Sequence, residues 1–212
     1  MKSLHILHSE SATGWGGQEI RVFQESNLLL ERGHRVSIVC QPESFMWNKC
    51  QSITSPNFIC YPLPMKSLAN PFSFFRLLRI LKKAKPDVIH THSSIDSWLA
   101  GSVAKFAGIP VVRSRHISIP IKSVFPNNWL YSRIPKKIIT SGEAISNVVN
   151  GVSGVKAENV KSVPAGVDFR RFDFNINGEA IRKELKLKPD QPLIGKIGVI
   201  RGWKGYDYLL EA

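Results

Sequence analysis

Apolar residues along this 212-residue chain recur in two alternating periods. Short β-branched runs mark strands, and stretches with apolar positions three to four apart mark helices. Residues 4–7 predict a short buried strand, followed by a polar, glycine-rich loop over residues 9–17. A helix is predicted from 18 to 32, with Ile20, Phe23 and Leu30 at helical spacing and Gly33 in the position of a left-handed cap. Residues 36–40 form the next strand, completing the strand–helix–strand unit of a parallel sheet.

The pattern then repeats. Residues 58–61 predict a strand, and Asn70-Pro71 supplies a cap and first turn for a helix running to residue 85. Its stripe of Phe74, Leu77, Leu78, Leu81 and Ala84 predicts a core face. Strands are expected at 87–91, 109–113 and 137–140, with a helix from 95 to 107 carrying Leu99, Val103 and Phe106 and closing at Gly108. This alternation predicts an α/β fold, a doubly wound, Rossmann-like parallel sheet with right-handed crossovers. Beyond residue 167 the texture is polar, and residues 168–191 read as a linker with a short helix near 179–185. Residues 193–199 predict the first strand of a second Rossmann-like unit, leading through a glycine-rich loop into a helix barely begun at residue 212. The expected organisation is a domain over 1–167, the linker, and the opening of an incomplete, truncated second domain over 192–212.

Composition narrows the class. With 43% hydrophobic and 21% charged residues, the chain can bury a core without staples. Cys40, Cys50 and Cys60 form no CxxC pair, which predicts a reducing, cytoplasmic setting. The first residues, MKSLHILHSES, lack the apolar stretch and cleavage site of a signal peptide, and nowhere do about 18 apolar residues run together to span a bilayer. Charge is the unusual feature. The net value is +13, and no acid separates Glu43 from Asp87, where seven basic residues lie, Lys66 among them. Such excess suits an anionic partner. A nucleic acid is not expected, because interleaved aromatics and nucleic-acid motifs are lacking.

Several groups carry candidate chemistry. In residues 13–19 (TGWGGQE), Gly16 and Gly17 let a backbone approach a ligand closely, and the N–H groups opening the next helix point at an anion. The spacing is not GxGxxG, and a tight turn needing positive φ is the alternative. Glu19 follows at the carboxyl edge of the first strand, where ligands of open α/β sheets bind. His90 and His92 point the same way from the end of a strand. His90 reads as packed and His92 as a hydrogen-bonding or acid/base group facing substrate. A zinc pair completed by His116, or two satisfied polar groups at a strand end, are alternatives. Arg113 and Arg115, beside His116, suit a clamp for a phosphate or acidic sugar, against solvated loop arginines. Phe72 shares the back of its helix with Arg76, Arg79 and Lys83, as on a membrane-surface helix, against an ordinary solvated helix back. Arg201 and Lys204, beside a helix N-terminus, suit a diphosphate.

These pieces, in this order, resemble the retaining glycosyltransferases of the GT-B fold, family 4. The resemblance rests on GGQE (16–19), ERGHRVSIV (31–39), PDVIHTHSS (86–94), VPAGVDFRRF (163–172) and WKGYDYLLEA (203–212). RSRH (113–116) followed by ISIP is similar to members that build lipopolysaccharide or other cell-envelope glycans. The resemblance implies a transferase with its active site between two Rossmann-like halves, acceptor on the first and nucleotide-sugar donor on the second. His92 matches the family histidine at the reaction centre, and Glu19 joins it as a candidate catalytic residue. Gly16, Gly17, Arg201 and Lys204 would face the donor diphosphate, and Arg113, Arg115 and His116 the acceptor. No metal or other cofactor is implied. The position of a further family arginine is Val199 here, with Arg201 close by. The family's second carboxylate motif would lie beyond Ala212, so weak turnover, or an inactive glycan- or glycolipid-binding module, is the expectation for the chain as given. The setting implied is the cytoplasm, with possible attachment to the inner face of the membrane.

Overall fold

The computed structural model describes residues 2–65, 70–169, 172–173 and 175–212, without the side chain of Trp203. Lys66, Arg170 and Arg171, cited above, lie outside the described residues. The chain divides into two compact units, Met1–Gly166 and Val167–Ala212.

The first unit is an α/β, Rossmann-like sheet of seven strands. These are β1 (His5–Glu10), β2 (Arg35–Cys40), β3 (Phe58–Pro62), β4 (Val88–Thr91), β5 (Val111–Arg115), β6 (Lys137–Thr140) and β7 (Val160–Ser162). All pair in parallel, in the order β3-β2-β1-β4-β5-β6-β7. The connecting helices are α1 (Gly17–Glu31), α2 (Phe45–Cys50), α3 (Pro71–Ala84), α4 (Ser94–Phe106), α5 (Asn127–Ser132) and α6 (Glu143–Asn150). Strand order reverses between β1 and β4, so the crevice at their carboxyl ends is where such a sheet takes ligands. One core joins Leu7, Ile89 and Val111 of the sheet to Leu77 and Leu81 of α3 and to Leu99 and Val103 of α4. A second gathers Val22, Ile38 and Met46 around α1, β2 and α2.

Helix ends follow their signals. Asn70 accepts the Phe72 N–H at 3.0 Å, and Pro71 opens α3. After α1, Gly33 takes φ +80°, with Gly33 N–H on the Leu30 carbonyl and His34 N–H on that of Leu29, the paired bonds of a Schellman stop. Gly108 ends α4 in the same way.

Four differences from the sequence expectations are instructive. β1 runs past residue 7 through His8, Ser9 and Glu10, all fully buried, because each polar side chain finds partners across the crevice. β5 begins at Val111, since Pro110 has no N–H for the ladder, and it continues through Arg115. The buried stripe of α1 is Glu19, Val22 and Ser26, while Ile20 is exposed. Ser26 Oγ–H satisfies itself on the Val22 carbonyl at 2.8 Å, so a polar residue can occupy the inner face. Phe106 is likewise 74% exposed and meets Phe74 only ring to ring. The short elements α2, α5, α6 and β7 had no sequence signal strong enough to mark them.

In the second unit, α7 (Glu179–Glu184) and α8 (Tyr206–Glu211) are separated by a 3-10 turn at Gly202–Lys204. Residues 193–199 form no strand among the described residues. A strand needs a ladder partner, and this segment, with Ile194 and Ile197 exposed, has none. It is held instead by Lys196 Nζ on the Gly205 carbonyl at 2.7 Å and Tyr206 O–H on the Gly198 carbonyl at 2.8 Å.

Gly101 tests the packing of α4. A Cβ there would lie 2.8 Å from Ile134 Cγ2, on a side chain that is β-branched and 6% exposed. Alanine gains about 1 kcal/mol of helix propensity. It loses about 1–3 kcal/mol to overpacking, so Gly101→Ala should lower the urea midpoint. Ile134→Leu, which has no branch at Cβ, should recover part of the loss.

Candidate functional site

The carboxyl ends of β1, β4 and β5 bring together side chains that the sequence separates by a hundred residues. His8 is paired with His90 across β1 and β4, and His92 follows directly after β4. All three are buried, and their ring nitrogens approach within 4.8 Å of one another. His8 Nδ1 and His92 Nε2 are 3.0 Å apart, and His92 Nδ1 is 3.5 Å from His116 Nε2. His90 turns Nε2 to the Ser114 hydroxyl at 2.7 Å and Nδ1 towards Glu25 at 3.6 Å. The zinc alternative named His116 as the third ligand, whereas among the described residues the trio close enough to hold an ion is His8, His90 and His92. Burial, then neighbouring imidazoles, hold His92 well below the usual histidine range. Burial and Arg21 bring His116 down to about 4. Both are uncharged at neutral pH.

Asp96 anchors the other wall. Fully buried in the first turn of α4, it accepts the His92 N–H at 2.8 Å, the Ser93 N–H at 2.7 Å and the Ser9 hydroxyl at 2.8 Å, together with the Ser93 hydroxyl. This capping box fixes the peptide that carries His92. Burial nevertheless raises its carboxyl above the ordinary range. Glu10, at the end of β1, accepts the Ala12 N–H at 2.9 Å and the Gln18 amide at 2.6 Å, tying both ends of the glycine-rich loop to the sheet. Burial and Asp96 push its carboxyl up to about 8.

The loop itself is open. Glu19 Oε2 accepts the Gly16 N–H at 2.7 Å, closing the N-terminus of α1. Gly16 is extended, and none of Gly14, Gly16 and Gly17 has positive φ, so the tight-turn alternative does not account for them. A Cβ on Gly14 or Gly17 would meet nothing within 4 Å, whereas on Gly16 it would lie 3.2 Å from Glu19 Oε2.

Gln18, His92, Ser93, Ser94, Arg113, Ser114, Arg115, His116 and Ile117 line a pocket of about 120 Å³ at this edge. The arginines differ from a matched clamp. Arg113 is 3% exposed, lies over the Tyr131 ring at 4.2 Å and donates to its hydroxyl at 3.1 Å, leaving Nε and Nη1 without a partner. Arg115 donates to the same hydroxyl at 2.9 Å and to the carbonyls of Ile117 and Ile119 at 3.1 and 2.6 Å, so it braces the loop that follows it. Within the second unit, Arg201 precedes the Gly202–Lys204 turn, and Gly205 follows it at φ +66°. A larger cavity of about 560 Å³, around Trp129 and Pro135, holds none of the candidate residues.

His8, Glu10 and Asp96 escaped the sequence reading. The available signal was polarity following directly on an apolar pair: His8, Ser9 and Glu10 come straight after Ile6 and Leu7.

Glu10 makes the edge sensitive to pH. An unfolded carboxyl ionises near 4.5, while the folded one holds its proton up to about 8. Its contribution is therefore whole below pH 4.5 and is lost as pH rises through about 8. Glu10→Gln, with Gln18 turning its own amide, should gain about 4 kcal/mol on the native chain between pH 5 and pH 8.5, read from thermal melts.

The profile of Glycosyltransferase Family 4 matches residues 15–171. The UDP-Gal:α-D-GlcNAc-diphosphoundecaprenol α-1,3-galactosyltransferase of Escherichia coli is 26% identical, over 100% of this chain and 59% of its own length. The chain spans 33–59% of the length of five curated relatives that it matches. A glycosyltransferase from Rickettsia africae has the same fold, with a TM-score of 0.81 at 18% identity, over 100% of this chain and 57% of that one. Anabaena HepE in complex with UDP-glucose gives 0.67 at 13% identity, over 86% and 50%. With the family profile covering well over half of it, the chain belongs to Glycosyltransferase Family 4.

Proposed function

We propose that this chain is the acceptor-side lobe, with the opening of the donor side, of an enzyme that transfers a sugar from a nucleotide-sugar donor to a cell-envelope glycan or glycolipid acceptor with retention of configuration. The observation that carries the proposal is the pocket where Gln18, the uncharged His92, the start of α4 and His116 meet. The Escherichia coli relative's name gives a diphosphoundecaprenol-linked sugar as its acceptor, and HepE was crystallised with UDP-glucose. Both support the kind of partner, and nucleic acid has no place in it.

The roles follow from chemistry. The N–H groups opening α1, with Gly16 and Gly17 leaving room for close approach, receive the donor diphosphate. Arg201 and Lys204 are the cations we assign to a departing diphosphate, a stabilisation that grows with the charge. His92 faces the sugar as a neutral hydrogen-bonding group, and Glu19 acts through the loop it closes. A histidine of such low basicity is a poor general base, which supports retention over attack by a base-activated acceptor. Arg113, Arg115 and His116 form the acceptor wall, Arg115 through the carbonyls it holds.

In the full-length enzyme, His92→Ala and Lys204→Ala should each lower kcat by about a hundredfold with the fold intact, as loss of one positioned polar contact does. Gly17→Ala separates ligand from fold. It meets open space and has a better helix former at the start of α1, so melting should hold or rise while donor KM increases. Near-native kinetics for all three would refute the site.

The setting we propose is cytoplasmic, against the inner membrane face. No helix among the described residues is long and apolar enough to cross a membrane. On α3, Phe72 is 83% exposed and Phe75 61%, beside exposed Arg76, Arg79, Lys82 and Lys83, as an interfacial helix requires. Co-sedimentation with phosphatidylserine vesicles should fall at least tenfold on adding salt or on the triple change Phe72→Ser, Arg79→Ala, Lys83→Ala. Binding that ignores both refutes the membrane reading.

A further inference from the structure

Two of the nine residues lining the pocket at the end of β5 are arginines, and none is acidic. The two arginines differ. Arg115 has a partner for each guanidinium nitrogen: Nε on the Ile117 carbonyl, Nη2 on that of Ile119 and Nη1 on the Tyr131 hydroxyl. Arg113 reaches that same hydroxyl through Nη2, while its Nε and Nη1 are buried without a partner. A guanidinium stays charged at neutral pH and can only donate, so no change of tautomer satisfies those two nitrogens.

The charge on Arg113 also lacks an ion-pair partner. The Tyr131 ring, 4.2 Å away, offers a π-face but no net charge. Asp96 bears on Arg113, yet its carboxylate is taken by the N–H groups of His92 and Ser93 and by the hydroxyls of Ser9 and Ser93. No ion pair to Arg113 occurs among the described residues. Burying a cation without a carboxylate or a full set of acceptors costs free energy, and such an arrangement calls for a group from outside the chain to complete it.

The start of α4 adds donors to the same pocket. Ser93 and Ser94 line it, at the first turn of a helix of 13 residues. The N–H groups of Ser94 and Ile95 have no carbonyl within the helix to bond, and the ladder begins with Ser97 N–H on the Ser93 carbonyl. A helix N-terminus and an unpaired guanidinium lining one pocket suit an anion. At 3% exposure the Arg113 charge is little screened by water, so an anion in the pocket feels it strongly.

We propose that this pocket seats a phosphoryl group of the acceptor, between the Arg113 guanidinium and the first turn of α4, so that the acceptor is a sugar joined to phosphate and not a neutral glycan. A phosphoryl group turns its oxygens in several directions and meets donors from both walls at once, whereas the two oxygens of a carboxylate lie in one plane. The inference rests on the pocket being where the acceptor binds, but the anion itself can be detected without turnover.

Inorganic phosphate is the probe, titrated into the chain labelled with 15N at arginine and followed through the Arg113 Nε–H resonance, which burial protects from exchange. Phosphate should shift that resonance saturably and raise the melting temperature. Arg113→Lys, which keeps the charge without the fork, should weaken binding about tenfold. Arg113→Met should abolish it, while Arg79→Ala with Lys83→Ala, on the exposed back of α3, should leave it unchanged. Glucuronate should bind less tightly than phosphate, and UDP, whose diphosphate is assigned to the opening of α1, should not displace phosphate from Arg113. No saturable shift, equal binding by a folded Arg113→Met, a preference for glucuronate, or displacement by UDP each overturns the proposal. If Arg113→Met does not fold, the native titration and Arg113→Lys decide. A full-length enzyme that glycosylates alkyl glycosides as readily as sugar phosphates overturns the acceptor assignment. Phosphate binding at Arg113 with no transfer to any acceptor overturns the transfer reading while the anion site stands.

Discussion

A polar side chain that is sealed from water must find a partner within the protein, and the end of β1 places three of them in the middle of a seven-stranded sheet. His8, Ser9 and Glu10 are all at 0% exposure. Leaving such a group unpaired costs on the order of 1–3 kcal/mol, so the surroundings are organised around satisfying them. His8 engages His92, Ser9 engages Asp96 at the start of α4, and Glu10 gathers Ala12 and Gln18 at the two ends of the glycine-rich loop. The entries to α1 and α4 are thus positioned by demands that originate in one strand.

Strand alternation gives this edge two chemically distinct sides. His8 and His90 are register partners and share a face with Ser114, which hydrogen-bonds His90. Ser9, Thr91 and Arg113 are partners on the opposite face, where α4 brings Asp96 and Ser97 against them. One side is a row of imidazoles that burial keeps uncharged. The other is hydroxyls and a carboxyl whose bonds cap α4, with the Arg113 guanidinium held on Tyr131. His92 follows the last residue of β4, with its side chain in the first set and its peptide N–H held by the second. A residue fixed from both directions can present one nitrogen to a pocket with little freedom to reorient, as catalysis by preorganised groups requires.

Much of the fold was legible because its signals are local. Asn70-Pro71, Gly33 and Gly108 mark helix ends through backbone chemistry that needs no tertiary contact. The β-branched run of residues 137–140 coincides with β6. What escaped depends on partners distant in sequence. The strand was expected to stop at residue 7 and residues 9–10 read as loop, because polarity argues against a buried strand until His92, Asp96 and Gln18 are known to be opposite. Ile20 read as core because periodicity counts apolar side chains, whereas α1 buries Glu19 and Ser26 through bonds to its own backbone. Within the site, His92 and the glycine loop stood out by position, and His8 did not.

Local charge and net charge also part company here. The chain carries +13, yet His92 and His116 in its pocket are neutral, and of the two arginines beside them Arg115 spends its donors on carbonyls and a tyrosine while Arg113 is buried over the same tyrosine. Cationic excess is borne by surfaces such as the exposed back of α3, where charges stay hydrated and act at a distance. Desolvation explains the division. A charge brought inside loses its water, as Arg113 does at 3% exposure with only Tyr131 for a hydrogen-bond partner, while Asp96 is committed to the turn of α4. The cationic excess of the exposed helix back and the buried polar groups that shape the pocket therefore lie on different parts of the same lobe.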